Sequence, residues 1–163
     1  MPALLEQGYE VRALDRFFFG RQLLVEDRRV EVVQEDSRKI RPEHLAGIEA
    51  VVDLAALSND PSGELFQKET CDAPVRTAKL AKEMGARRYI LPSSCSVYGF
   101  QANGQAVFEN SETNPLTTYA KANRAADEGI LPLAKNGFCA VVIRQATCSA
   151  IRHGCDSIWR SMA

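Results

Sequence analysis

The sequence predicts an α/β fold in which helices cover a parallel sheet. Three observations carry this. Short strand-like apolar runs alternate with segments of helical periodicity along the chain, at spacings that imply right-handed βαβ crossovers. The run Ala50-Val-Val-Asp-Leu-Ala-Ala-Leu57 is almost continuously apolar, as expected of a parallel strand buried on both faces. The run Tyr89-Ile-Leu-Pro92 ends in Ser93, Ser94 and Ser96, delivering hydroxyls to the carboxyl edge of a sheet, where open α/β sheets bind ligands.

Size and composition fit one soluble globular domain. The 163 residues are 45% hydrophobic with a net charge of −1, which argues against a nucleic-acid or strongly membrane-attracted surface. No apolar run reaches the length of a membrane span, and the N-terminus lacks a basic start and a long apolar stretch. Five cysteines form no CxxC pair, and their odd number suits a reducing, cytoplasmic setting. Cys148, His153 and Cys155 have no fourth ligand or paired spacing, so no metal site is expected.

In chain order, residues 3–7 read as the last turns of a helix stopped at Gly8. Tyr9 to Leu14 alternates as a strand and ends at Asp15. Phe17-Phe-Phe-Gly20 is expected to pack onto the sheet edge, and residues 21–29 to form a short charged helix and its exit. Val30 to Val33 is a second strand, and Arg41 to Ala46 a short helix with proline near its start, on which His44 is expected to be exposed and idle. After the strand at 50–57, Ser58 to Gly63 is a loop at the ligand-binding edge. Asp72 to Gly85 is a helix, residues 100–118 are a polar loop, Tyr119 to Glu128 is helical, and Phe138 to Ile143 is a last buried strand.

Two motifs carry a family resemblance. Ser93-Ser-Cys-Ser-Val-Tyr-Gly99 resembles the SSxSVYG strand end of the NAD-dependent epimerase/dehydratase family, the extended branch of the short-chain dehydrogenase/reductases. Pro115-Leu-Thr-Thr-Tyr119 resembles that family's PxxxY helix start, and the likeness runs from about residue 3 to Thr147. It implies a Rossmann-type sheet and NAD as cofactor, with NADP less favoured.

The resemblance places cofactor contacts at Asp15, Arg16, Asp36, Ser37, Leu54, Ala55, Ala56, Tyr119 and Asn123. An acid after the second strand of a dinucleotide fold accepts the ribose hydroxyls and repels a 2′-phosphate, and Arg16 beside it softens that preference. Asp15 can also simply close a strand; Asp36 and Ser37 read equally as a solvated turn, and Leu54 to Ala56 as packing. Asp15 is read as the ribose partner because the other motifs accompany it.

For catalysis the resemblance implies Ser94, Tyr119 and Asn123. The family's tyrosine is the general acid or base on a sugar hydroxyl, and the strand-end hydroxyl shares the proton's hydrogen bond. A lysine four residues after the tyrosine normally supplies charge, but that position is Asn123. Lys121 is no substitute, because two residues turn a helix by about 200°. Hydride chemistry is therefore expected to be slower than in a lysine-bearing relative. Cys95 and Ser96 stand where dehydration needs an Asp-Glu pair, which leaves epimerisation or simple oxidation and reduction of a nucleotide sugar. A homodimer through the Tyr119 helix is a further implication.

Departures from the family pattern set other expectations. The glycine-rich phosphate turn and the strand before it are not in the sequence, so the sheet is expected to divide at its centre and NAD binding to be weak or absent. Lys68 to Asp72 runs through without the family's extra turn, read as a small deletion. Residues 1–147 are read as a partial NAD-binding domain. The tail, 148–163, breaks from the VFG or VYG pattern, which a one-nucleotide frame shift of a possible coding sequence restores, so it is read as frameshift-derived. Two competing readings are a non-catalytic dinucleotide-binding or regulatory protein and an inactive gene fragment.

Overall fold

The computed structural model describes residues 1–22, 24–56, 65–100 and 106–146. Its strands are β1 (Val11–Asp15), β2 (Val30–Gln34), β3 (Ala50–Val52), β4 (Arg88–Ser94) and β5 (Cys139–Gln145), and its helices α1 (Pro2–Glu6), α2 (Pro42–Leu45), α3 (Ala73–Glu83) and α4 (Thr118–Ile130). Every strand pairing is parallel, and the strands form two sheets, β1-β2 and β3-β4-β5. Side by side, these correspond to positions 3-2 and 4-5-6 of the doubly wound order. The expected α/β architecture and the expected division of the sheet are both present.

β4 is the central strand of the larger sheet, with Tyr89 opposite Val51 on one side and Ala140 on the other. Its alternation sends Tyr89, Leu91 and Ser93 inward, while Ile90, Pro92 and Ser94 are only partly covered. Tyr89 and Leu91 share one core with Ala78 and Ala81 of α3 and Ala126 and Ile130 of α4. The alanines allow the helices to approach closely; full burial of a side chain such as Leu91 or Ile130 contributes about 1.5–3 kcal/mol.

Local chemistry sets the helix limits. Thr117 caps α4 by accepting from the Ala120 amide at 3.1 Å, and Pro132 follows its end. Pro74 lies in the first turn of α3, and Gly85, at φ +87°, terminates it. Gly8, at φ +85°, is the expected stop after α1.

Several local expectations need correction. Among the described residues of 21–29 there is no helix; Asp27 and Arg29 instead close a turn through a two-point ion pair. Phe18 and Phe19 do not pack on the sheet edge: they are 77% and 85% exposed and stack edge to face on each other. His44 is not idle, because its Nδ1 accepts from the Arg41 amide at the start of α2. β3 is shorter than the apolar run implied, since after Val52 the Asp53 carboxylate captures the Ala55 amide and turns the chain. The chain enters α3 through a π-helical segment, Phe66–Asp72, where the sequence was read as running straight through.

Candidate functional site

Ser94 is the last residue of β4, and the chain then folds into a 3-10 turn, Cys95–Tyr98. The Ser94 Oγ accepts from the Ser96 amide at 3.2 Å and from the Ser96 hydroxyl at 2.9 Å. With those bonds made, its own proton is the one free to be donated. Gly99 closes the turn at φ +68°; a Cβ there would lie 2.1 Å from the Asn114 carbonyl oxygen. Only glycine admits this crossing, which brings the chain back towards Pro115 and α4.

Tyr119 stands in the first turn of α4 and is partly exposed; α4 packs on both β4 and the turn after Ser94. The two predicted hydroxyl groups thus belong to adjoining elements at one sheet edge. Asn123 lies one turn further on and is only 3% exposed, with Nδ2 donating to the Tyr119 carbonyl at 2.9 Å. That amide group is committed to its own helix. Lys121 points outward on the exposed face.

Besides Tyr119 and Asn123 on α4, the predicted cofactor residues lie at the carboxyl ends of β1, β2 and β3. Asp15 ends β1, is exposed, and accepts from the Phe17 amide at 2.5 Å. Gln34, opposite it on β2, donates to the Arg16 carbonyl at 3.3 Å. Asp36 caps the short turn Ser37–Lys39 and pairs with Arg38 at 2.6 Å, with Arg16 at 3.8 Å. The hydrogen bond from Arg38 holds the Asp36 carboxyl well below the usual carboxylate range. The Ser37 carbonyl accepts a long bond from Arg76 at 3.4 Å. Leu54, Ala55 and Ala56 are all exposed beyond β3. The loop expected at Ser58 to Gly63 lies outside the described residues, as do Thr147 and the tail.

A network not anticipated from the sequence ties these parts together. Arg144, near the end of β5, donates from Nε to the Asp127 carboxylate at 2.9 Å. Its Nη1 reaches the Tyr98 hydroxyl at 2.9 Å and the Glu109 carbonyl at 3.2 Å. Asp127 is fully buried in α4. One guanidinium therefore joins β5, the turn after Ser94, the loop before α4 and α4 itself. The legible signal was spacing: Asp127 follows Asn123 by four residues and Tyr119 by eight, on one helix face.

Solved structures of similar fold include enzymes bound to NAD and UDP-sugars. A UDP-glucuronic acid 4-epimerase from Bacillus cereus, solved with NAD, is 24% identical with a TM-score of 0.74, covering 88% of this chain and 50% of its own. MoeE5, solved with UDP-glucose and NAD, is 25% identical with a TM-score of 0.72, covering 88% of this chain and 48% of its own. A UDP-N-acetylglucosamine 4-epimerase from Methanobrevibacter ruminantium M1, bound to UDP-N-acetylmuramic acid, is 20% identical at a TM-score of 0.72, covering 83% and 46%. The chain thus spans about half the length of these structures. No curated protein sequence matches it. No helix among the described residues is long and apolar enough to cross a membrane. The model of the NAD dependent epimerase/dehydratase family matches residues 1–154, and the chain belongs to that family.

Proposed function

We propose that this chain carries the cofactor-binding and proton-transfer part of an NAD-dependent nucleotide-sugar epimerase or related sugar oxidoreductase. The observation that supports this most is the placement of the Ser94 hydroxyl at the end of β4 beside the helix that presents Tyr119. Ser94, with both acceptor positions engaged by Ser96, donates its proton to a sugar hydroxyl and holds it. Tyr119 removes or returns the proton of that hydroxyl. NAD, when bound, supplies the hydride acceptor.

The fit to a dinucleotide rests on Asp15, whose exposed carboxylate keeps one oxygen beyond its Phe17 bond for the ribose hydroxyls. Arg16, Ser37 and the backbone of Leu54 to Ala56 line the same edge, and Asp36 keeps Arg16 and Arg38 near it. This favours NAD over NADP. Asn123 acts from within the helix by holding the Tyr119 carbonyl. Pairing of two copies through α4, and a cytoplasmic setting, belong to the same proposal.

Asn123 also supports a second reading, a dinucleotide-binding protein without turnover, because no cation stands at the lysine position. Titration with NAD and hydride transfer from UDP-glucose and UDP-glucuronic acid separate the readings. With a strand and glycine-rich turn joined ahead of this chain, NAD should bind and its reduction should be slow, lost in Tyr119→Phe and raised in Asn123→Lys. NAD binding without reduction by any sugar leaves the non-catalytic reading; no gain in Asn123→Lys removes the argument from charge. The chain as written should bind NAD more weakly than micromolar.

A further inference from the structure

Arg144 touches both sides of the Ser94–Tyr119 edge. It lies on β5 opposite Ser93 of β4, so its backbone stands beside the residue that precedes Ser94. Its side chain is 15% exposed and reaches the fully buried Asp127 carboxylate, 2.9 Å from Nε, and the Tyr98 hydroxyl, 2.9 Å from Nη1. The guanidinium carbon also lies 5.1 Å from the centre of the Tyr98 ring, so the hydroxyl and the ring are both held.

Each partner belongs to one half of the proposed proton-transfer pair. Tyr98 ends the turn that Ser94 opens, and between them Ser96 bonds the Ser94 Oγ through its amide and its hydroxyl. Asp127 is on α4, eight residues and about two turns after Tyr119. A carboxylate taken wholly out of water is tolerated only when paired. Among the described residues Asp127 Oδ1 finds no donor, so the carboxylate depends on the Arg144 bond to Oδ2. An apolar contact between α4 and the turn could slide, whereas a planar fork bonding in two directions cannot.

With Ser94 and Tyr119 read as the proton-transfer pair, we propose that Arg144 is a positioning residue for it. The guanidinium sets the spacing between the turn that holds Ser94 and the helix that presents Tyr119, acting through Tyr98 and Asp127. Its bond to the Glu109 carbonyl at 3.2 Å ties the loop before α4 into the same frame. A lysine at this position would supply the charge but not the fork, because an ammonium is a point donor on a flexible stem. Charge and geometry are therefore separable.

The test is Arg144→Lys, with Glu128→Gln as a control that removes the surface ion pair Arg124–Glu128 from the same helix. In the chain as it stands, Arg144→Lys should lose less stability in urea than Arg144→Met, since Asp127 keeps a cation. The backbone amide resonances of Ser94 and Tyr119 should nonetheless move together, and Glu128→Gln should move neither. With a strand and glycine-rich turn joined ahead of this chain, kcat for NAD reduction by UDP-glucuronic acid should fall about ten- to a hundredfold in Arg144→Lys, with KM unchanged. A merely structural arginine would let lysine restore turnover along with stability. Resonance changes that reach Tyr98 but not Ser94 and Tyr119, or a kcat equal to the parent's, overturn the proposal. If the parent reduces no NAD, the catalytic reading fails by itself, and the resonances still decide whether Arg144 sets the two elements. Should Arg144→Lys not fold, Tyr98→Phe, which leaves the ion pair in place, is read by the same two measurements and the same outcomes.

Discussion

In the β3-β4-β5 sheet, Tyr89, Leu91 and Ala140 pack into a shared core with α3 and α4. In the β1-β2 sheet, no residue of either strand is fully buried. What anchors the smaller sheet is a set of arginines that donate to backbone carbonyls. Arg29 reaches the Leu5 carbonyl at 2.7 Å, and Arg12 reaches those of His44 and Ala46 at 3.0 and 3.1 Å. Arg76 on α3 bonds the Ile40 and Arg38 carbonyls at 2.8 and 2.7 Å. The larger half is held by burial, and the smaller by the packing of Leu14 on that core together with charged donors at the ends of short elements. The first should open only with the whole fold, while the second should open locally. The proposed proton-transfer groups are on the burial-held half, and the proposed ribose contact, Asp15, is on the other.

The contrast is tested hardest at Arg144, a guanidinium that serves the larger half from inside. Arg144→Met leaves Asp127 buried without its partner and should cost about 3–5 kcal/mol in urea unfolding. A loss below about 1 kcal/mol would mean that burial alone holds this half. Next in size, Arg76→Met should cost about 1–2 kcal/mol, since its bonds to two carbonyls are made from an exposed helix face. Amide exchange should speed up across residues 30–46 and hardly change in β4; equal acceleration in both would erase the distinction.

A smaller effect is expected at Asp36. Its carboxyl is lowered by the Arg38 hydrogen bond, so its contribution is present above the unfolded value of about 3.9 and is lost as pH falls towards the folded one. Allowing for solvent screening, the loss should be about 1 kcal/mol or less, and Asp36→Asn should remove this acid limb from the stability profile. Smallest of all, the Arg87–Glu49 pair at 3.8 Å is open to solvent on both sides. Glu49→Gln should change stability by no more than a few tenths of a kcal/mol; a larger loss would show that surface charge matters in the larger half too.

Much of this was legible in the chain. Periodicity alone located all five strands, α3 and α4, because burial on one face or two leaves a pattern in the order of residues. The serine cluster at the end of β4 and the tyrosine opening α4 stood out for the same reason: they interrupt apolar or helical runs with polar groups. Charged and aromatic loops were read less well. A helix at 21–29 and a Phe17 to Gly20 loop packed on the sheet edge were expected, yet local ion pairing and solvent exposure of Phe18 and Phe19 prevailed, since neither segment has a periodic face to bury.

The amino-acid order by itself determined the α/β alternation, the polar groups at the strand ends and the asparagine at the lysine position, because each depends on local spacing. Only the tertiary structure decided which distant groups share protons. Arg144 meets Asp127 and Tyr98, Tyr89 meets Asp53 and Pro74, and Asn123 turns inward on its own helix. Such partnerships depend on where parallel strands and crossing helices bring side chains many residues apart, and no local periodicity records that.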